Sequence, residues 1–176
     1  MMKKKFLSVL SFVVTVAVLL GALKVMNWLP TALDQGMLRS YPGIEEARAR
    51  LGIREIYVPS YFPETIKWPP SELLAQQTPF EAVVMKFGRS GEGDTGLVIT
   101  QARSADFDYD AGIGFEEVRE RVPFSLKGRE AVLEAGTCRD GSPCSRLSWK
   151  EGDLRISIAM KAQPPETIRL AESMLK

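Results

Sequence analysis

The sequence predicts an α+β protein: an N-terminal transmembrane helix, then one antiparallel-sheet domain with a short N-terminal helix and a C-terminal helix packed on the sheet. Three observations carry this. An uncharged apolar run follows a lysine cluster at the start of the chain, strand-like runs of period two recur between turn residues, and a helical stripe comes last with no βαβ alternation.

Met1 to Lys5 hold three lysines, and Phe6 to Leu23 follow without a charge. At about 1.5 Å rise per residue that run spans roughly 27 Å, near the thickness of a bilayer's hydrocarbon core. Lys24 can snorkel at its end, Trp28 falls where an interfacial ring would sit, and Pro30 stops the helix. Residues 1–29 therefore read as a membrane anchor, with a cleaved secretory signal ending at Leu20-Gly21-Ala22 as the alternative. Residues 30–42 read as a linker and 43–176 as an extracytoplasmic domain, on the outer side of an inner or cytoplasmic membrane crossed once by the anchor.

Within the domain, Pro42 to Gly52 predicts a short helix with Ile44, Ala47 and Leu51 on one stripe and Gly52 ending it. Arg54 to Val58 reads as a strand stopped by Pro59. Five prolines between 59 and 79 exclude regular ladder pairing there, and Ser71 to Gln77 reads as a helical turn or two. Glu81–Phe87 and Gly96–Ala102 read as a long-looped hairpin around a glycine-rich loop. Val118–Phe124 and Glu130–Ala135 are further strands, with Leu126-Lys127-Gly128 as the turn. The clearest alternation is in Leu147 and Trp149, then Leu154, Ile156, Ile158 and Met160, joined at Glu151-Gly152. Pro164-Pro165 opens the final helix, whose stripe is Ile168, Ala171 and Leu175.

Composition excludes several function classes. The chain has 176 residues and no histidine, which removes Ser-His-Asp and Cys-His catalysis and HExxH metal sites. Setting aside the lysines at 3, 4, 5 and 24, the remaining 19 of the 23 basic residues face 22 acidic ones, so no nucleic-acid partner is implied. Cys138 and Cys144 bracket a turn-forming run, Arg139 to Pro143, and read as a hairpin-closing disulfide suited to an exported domain. Their spacing is not that of a C-x-x-C redox motif, and two thiols without histidine cannot complete a zinc site.

Pro59-Ser60-Tyr61-Phe62-Pro63-Glu64, Leu147-Ser148-Trp149-Lys150-Glu151-Gly152 ahead of a strand, and a Pro164-Pro165-Glu166 helix ending in Ala171-Glu172-Ser173 together resemble uncharacterised extracytoplasmic domains attached to bacterial single-pass membrane anchors. Some anti-sigma-factor and sporulation-related proteins carry such domains. The resemblance implies an envelope location and a sheet with a helix across it, and it carries over no catalytic residue.

Asp106, Asp108, Asp110 and Glu117 fall at positions 1, 3, 5 and 12 of an EF-hand-like calcium loop, but Ala111 stands where the turn wants glycine and a strand rather than a helix precedes. A solvated acidic loop is the favoured reading. Ser125 and Lys127 could form a Ser-Lys dyad, though each is equally at home as an exposed residue. The aromatic-proline clusters, with Tyr61, Phe62 and Trp68, form either core cover or a binding surface. The expectation is thus a non-enzymatic module, without a cofactor, that binds an envelope protein or an apolar ligand. A carboxylate-based enzyme using a pair such as Asp108 and Glu117, or a calcium-binding exported domain, is the alternative.

Overall fold

The computed structural model describes Thr15 and residues 38–91, 93–107, 109 and 112–175. The chain divides into two units after Met37, and the second, from Leu38 onward, carries the sheet. The expected anchor over residues 1–29 lies outside the described residues, apart from Thr15. Among the described residues no helix is long and apolar enough to cross a membrane.

One antiparallel sheet of eight strands organises the domain: β1 (Arg39–Tyr41), β2 (Glu72–Gln76), β3 (Ala82–Gly88), β4 (Thr95–Ala102), β5 (Phe115–Leu126), β6 (Arg129–Cys138), β7 (Pro143–Glu151) and β8 (Leu154–Met160), in the order β1-β2-β3-β4-β8-β7-β6-β5. Two helices accompany it, α1 (Ile44–Leu51) and α2 (Pro164–Met174), of eight and eleven residues. This corrects the expected fold class. Among the described residues the protein is a large antiparallel sheet with two short helices rather than an α+β domain, and no membrane-crossing helix is found among them. The sheet is larger than expected because two segments join it: residues 39–41 extend it at one edge, and Glu72–Gln76, read as helical turns, is a strand buried along nearly its whole length.

Arg54–Val58, read as a strand, is not one. It lies outside the sheet, and the Gln101 side chain takes the place of a neighbouring strand at Tyr57. The amide nitrogen of Gln101 donates to the Tyr57 carbonyl at 2.6 Å, and its oxygen accepts from the Tyr57 N–H at 2.9 Å. Gln101 is 1% exposed, so this exchange satisfies a polar side chain that would otherwise be costly to bury.

Leu73, Met85, Leu97, Ile99, Leu147, Ile156 and Ile158 form the main core on one face of the sheet, under α2, α1 and the irregular segment 53–70. Helix α2 is fixed there by polar as well as apolar contacts. Thr167 and Ser145, both fully buried, share a hydrogen bond at 2.6 Å. Gly52 closes α1 at φ 66°, its N–H donating to the Arg48 carbonyl. Lys127 and Gly128 both have positive φ, as a two-residue type I′ hairpin turn requires. From that turn the Lys127 ammonium donates to the Glu172 and Leu175 carbonyls, capping the end of α2.

The connection from β4 to β5 sets up the second face. β4 ends at the opposite end of the sheet from where β5 begins, with β8, β7 and β6 between them, and the described residues of the connection, 103–107, 109 and 112–114, lie on the face that the helices leave open. Phe107, Tyr109 and Ile113 settle onto Leu74, Val84, Val98 and the Cys138–Cys144 pair as a second, smaller core.

The disulfide joins Cα atoms 5.1 Å apart. The hairpin register places Cys144 opposite Gly136, so the bridge is diagonal rather than between facing residues. Lys161 anchors this hairpin to the β3–β4 loop. Its ammonium, with the side chain 10% exposed, donates to Asp140 and Asp94 at 2.6 Å each. These bonds, Asp140 first, raise the Lys161 pKa, and the ammonium in turn holds both carboxyls below their usual range.

Candidate functional site

Tyr61, Phe62 and Trp68 take three different places. Arg169 of α2 lies over the Tyr61 ring at 4.1 Å, while Ser173 accepts from the Tyr61 N–H, so Tyr61 helps dock the irregular segment on the helix. Phe62 packs against the core beside Phe87, ring centroids 5.2 Å apart. Trp68 alone stays open, at 55% exposure the most exposed large apolar side chain of the described residues.

The backbone explains why. Lys67 N–H donates to the Gly88 carbonyl and Ser71 N–H to the Lys86 carbonyl, so residues 67 and 71 are stitched to β3 like ends of a strand. Pro69 and Pro70 between them have no N–H to donate. The chain therefore bows outward and lifts Trp68 from the sheet. One side of its ring leans on Phe62 and Phe87, at 5.3 and 6.2 Å, and the remainder faces solvent.

Trp68 borders an open groove of about 1020 Å³, walled on the other side by Tyr41, Pro42 and Ile44 where β1 leads into α1, with Val58 and Leu73 among its lining. Glu45 and Glu46 at its edge pair with Arg48 and Arg50 along α1, and Glu72 pairs with Lys86. The sequence singled out Trp68 among the aromatic-proline residues but held no sign of the opposite wall, which comes from a segment read partly as linker.

The residues that could carry chemistry are dispersed or engaged. Of the EF-hand-like set, Asp108 and Asp110 lie outside the described residues. Asp106 is exposed, and Glu117 sits on β5 opposite Thr137 and accepts from Arg119 at 3.3 Å. Among the described residues no group of three or more aspartate, glutamate or cysteine side chains is disposed to hold a metal ion. Lys127, considered as a partner for Ser125, is committed to the carbonyls at the end of α2.

No known protein family, curated protein or solved structure matches this chain.

Proposed function

We propose that residues 38–176 form an exported, non-catalytic binding module that seats an apolar segment of another envelope protein in the groove beside Trp68. The observation that carries this is the exposed indole, held out by the proline pair next to an open groove, in a domain whose other large aromatics are packed. The groove is open along its length rather than enclosing, which favours an extended segment over a compact small molecule, whose sites bury most of the ligand. The absence of histidine, together with carboxylates drawn into ion pairs, supports binding rather than chemistry. Export is supported by the N-terminal lysines and apolar run and by the cysteine pair, and the resemblance to anchored extracytoplasmic domains points the same way.

Covering the open half of the indole removes roughly 130 Å² from water, worth about 3 kcal/mol, or up to about 100-fold in affinity. The test is in-cell crosslinking from a photoreactive residue placed at Ser40. It is followed by titration of the purified captured protein against wild type and Trp68→Ala. Binding weakened by one to two orders of magnitude in a variant with unchanged melting temperature is the expected result. Equal binding by Trp68→Ala, or no crosslink at all, would refute the reading.

A further inference from the structure

On the face where Phe107, Tyr109 and Ile113 pack, we infer a second binding site, for a small organic anion, between Arg146 and Arg155. The sheet register lays out its floor. Ser148 and Ser157 face each other on β7 and β8, hydroxyls 3.0 Å apart, and Thr100 lies opposite Ser157 on β4. Arg146, opposite Ala159, and Arg155, opposite Lys150, stand to either side of this hydroxyl row. They are four residues apart along the strand direction, about 13 Å between Cα positions. Both side chains nevertheless line one cavity of about 140 Å³ at the margin of the β4–β5 connection, where Phe107 and Tyr109 supply an aromatic wall.

The two guanidinium groups are incompletely engaged. Arg155 donates to the Ala105 carbonyl and, among the described residues, has no ion-pair partner. Arg146 lies 3.7 Å from a Glu134 oxygen, beyond good hydrogen-bond length, and that glutamate is shared with Arg121 at 3.6 Å. Arg146 also lies over the Phe115 ring at 5.4 Å. Each guanidinium has five N–H donors in a planar fork suited to carboxylate or phosphate oxygens, and among the described residues most of this donor capacity is unspent.

The remaining lining, Val98, Ala159 and Ile113 with the two aromatic rings, is apolar. A cavity of this size matches the roughly 150 Å³ that accommodates a benzene ring. The ligand is therefore a small organic anion that joins a carboxylate or phosphate head to an apolar body of about six carbons. Its head lies between the arginines over the Ser157 and Thr100 hydroxyls, and its body lies under Phe107 and Tyr109. This site does not depend on the Trp68 groove, which lines a separate cavity.

Benzoate and phenyl phosphate serve as probes, titrated by calorimetry against the folded chain, with benzamide and inorganic phosphate as the matched neutral and body-less compounds. Benzoate or phenyl phosphate is expected to bind saturably, and the stronger of the two identifies the acid group. Benzamide and inorganic phosphate should each be weaker by about tenfold or more. Arg146→Gln and Arg155→Gln should each weaken the acid probe by a similar factor without changing the melting temperature of the free protein. Lys150→Gln, on the same face but outside the cavity, and Trp68→Ala should leave it unaltered. Failure of both acids to bind, equal binding of benzamide, or indifference to both arginine substitutions would overturn the site. Inorganic phosphate binding as tightly as phenyl phosphate would overturn the assignment of an apolar body.

Discussion

Replacing Lys161 by methionine tests how the disulfide hairpin is tied to the rest of the sheet. Methionine keeps the length and apolar stem but removes the ammonium that bridges Asp94 and Asp140, leaving two carboxylates facing a neutral side chain. A charge-assisted hydrogen bond is worth about 1.5–3 kcal/mol. The carboxylates are 38% and 45% exposed, so solvent screening reduces each contribution to about 1 kcal/mol and the pair to about 2 kcal/mol. A domain of about 140 residues unfolds with about 0.3 kcal/mol/K of entropy, so the melting temperature should fall by about 7 °C. The loss should follow pH in a set way. The carboxyl pKa values are depressed in the folded protein, so their stabilisation is fully present above the ordinary carboxylate range and drains away as pH falls through the folded values. The Lys161 pKa is raised, so its stabilisation holds below its ordinary value and is lost as pH climbs through the folded one. The difference between wild type and variant should accordingly form a plateau from about pH 5 to 9 and shrink on both sides. Calorimetry of both proteins across pH measures it. A shift under about 1 °C at pH 7, or a difference that grows in acid, would refute the reasoning.

Reducing Cys138–Cys144, or replacing both residues with serine, should lower stability by about 2 kcal/mol on the chain-entropy view for a crosslink spanning six residues, read as a lower denaturation midpoint with little change in slope. Gly136→Ala should be far more damaging, by about 3 kcal/mol or more, because a Cβ there would lie 1.9 Å from the Glu117 carbonyl oxygen where β5 bulges over β6; proteolysis should then open the β5 edge first. Gln101→Leu should cost about 2–4 kcal/mol by stranding the Tyr57 N–H and carbonyl, and hydrogen exchange should show the Tyr57 amide losing protection while the β4 amides keep theirs. A Gln101→Leu protein as stable as wild type would mean that water replaces the amide.

Where one side of a strand is wet, the pattern was readable. β8 alternates Leu154, Ile156 and Ile158 with Arg155 and Ser157, and the structure places those two sets on opposite faces. β2 carried no such signal, because Leu73 points to one core, Leu74 to the other, and Gln76 is buried too. A strand covered on both faces has no period to detect. Arg54–Val58 showed the opposite failure: its composition suits a strand, but no backbone partner comes alongside, and only the fold reveals that a glutamine side chain 44 residues away fills the role. The same limit applies to the sites. Trp68 was visible beside its prolines, yet its separation from Tyr61 and Phe62 depends on where β3 accepts hydrogen bonds. Nothing in the sequence marks Arg146 and Arg155 as a pair. The aromatic wall of the small cavity they share comes from the β4–β5 connection, which no local pattern places beside them.

That connection also divides the work of assembly. β5 through β8 form a meander whose neighbours are joined by tight turns, so each register is dictated locally. The central seam between β4 and β8 has no turn of its own, with Leu97 opposite Met160 and Ala102 opposite Arg155 across a long stretch of chain. Its alignment rests on side chains: a slip by one residue would push Leu97, Ile99 and Gln101 toward the β4–β5 connection and bring Thr100 and Val98 under the helices. Closing this seam requires the largest loop in the sheet, which makes it the natural late step in folding and the place where the two halves would part first under load.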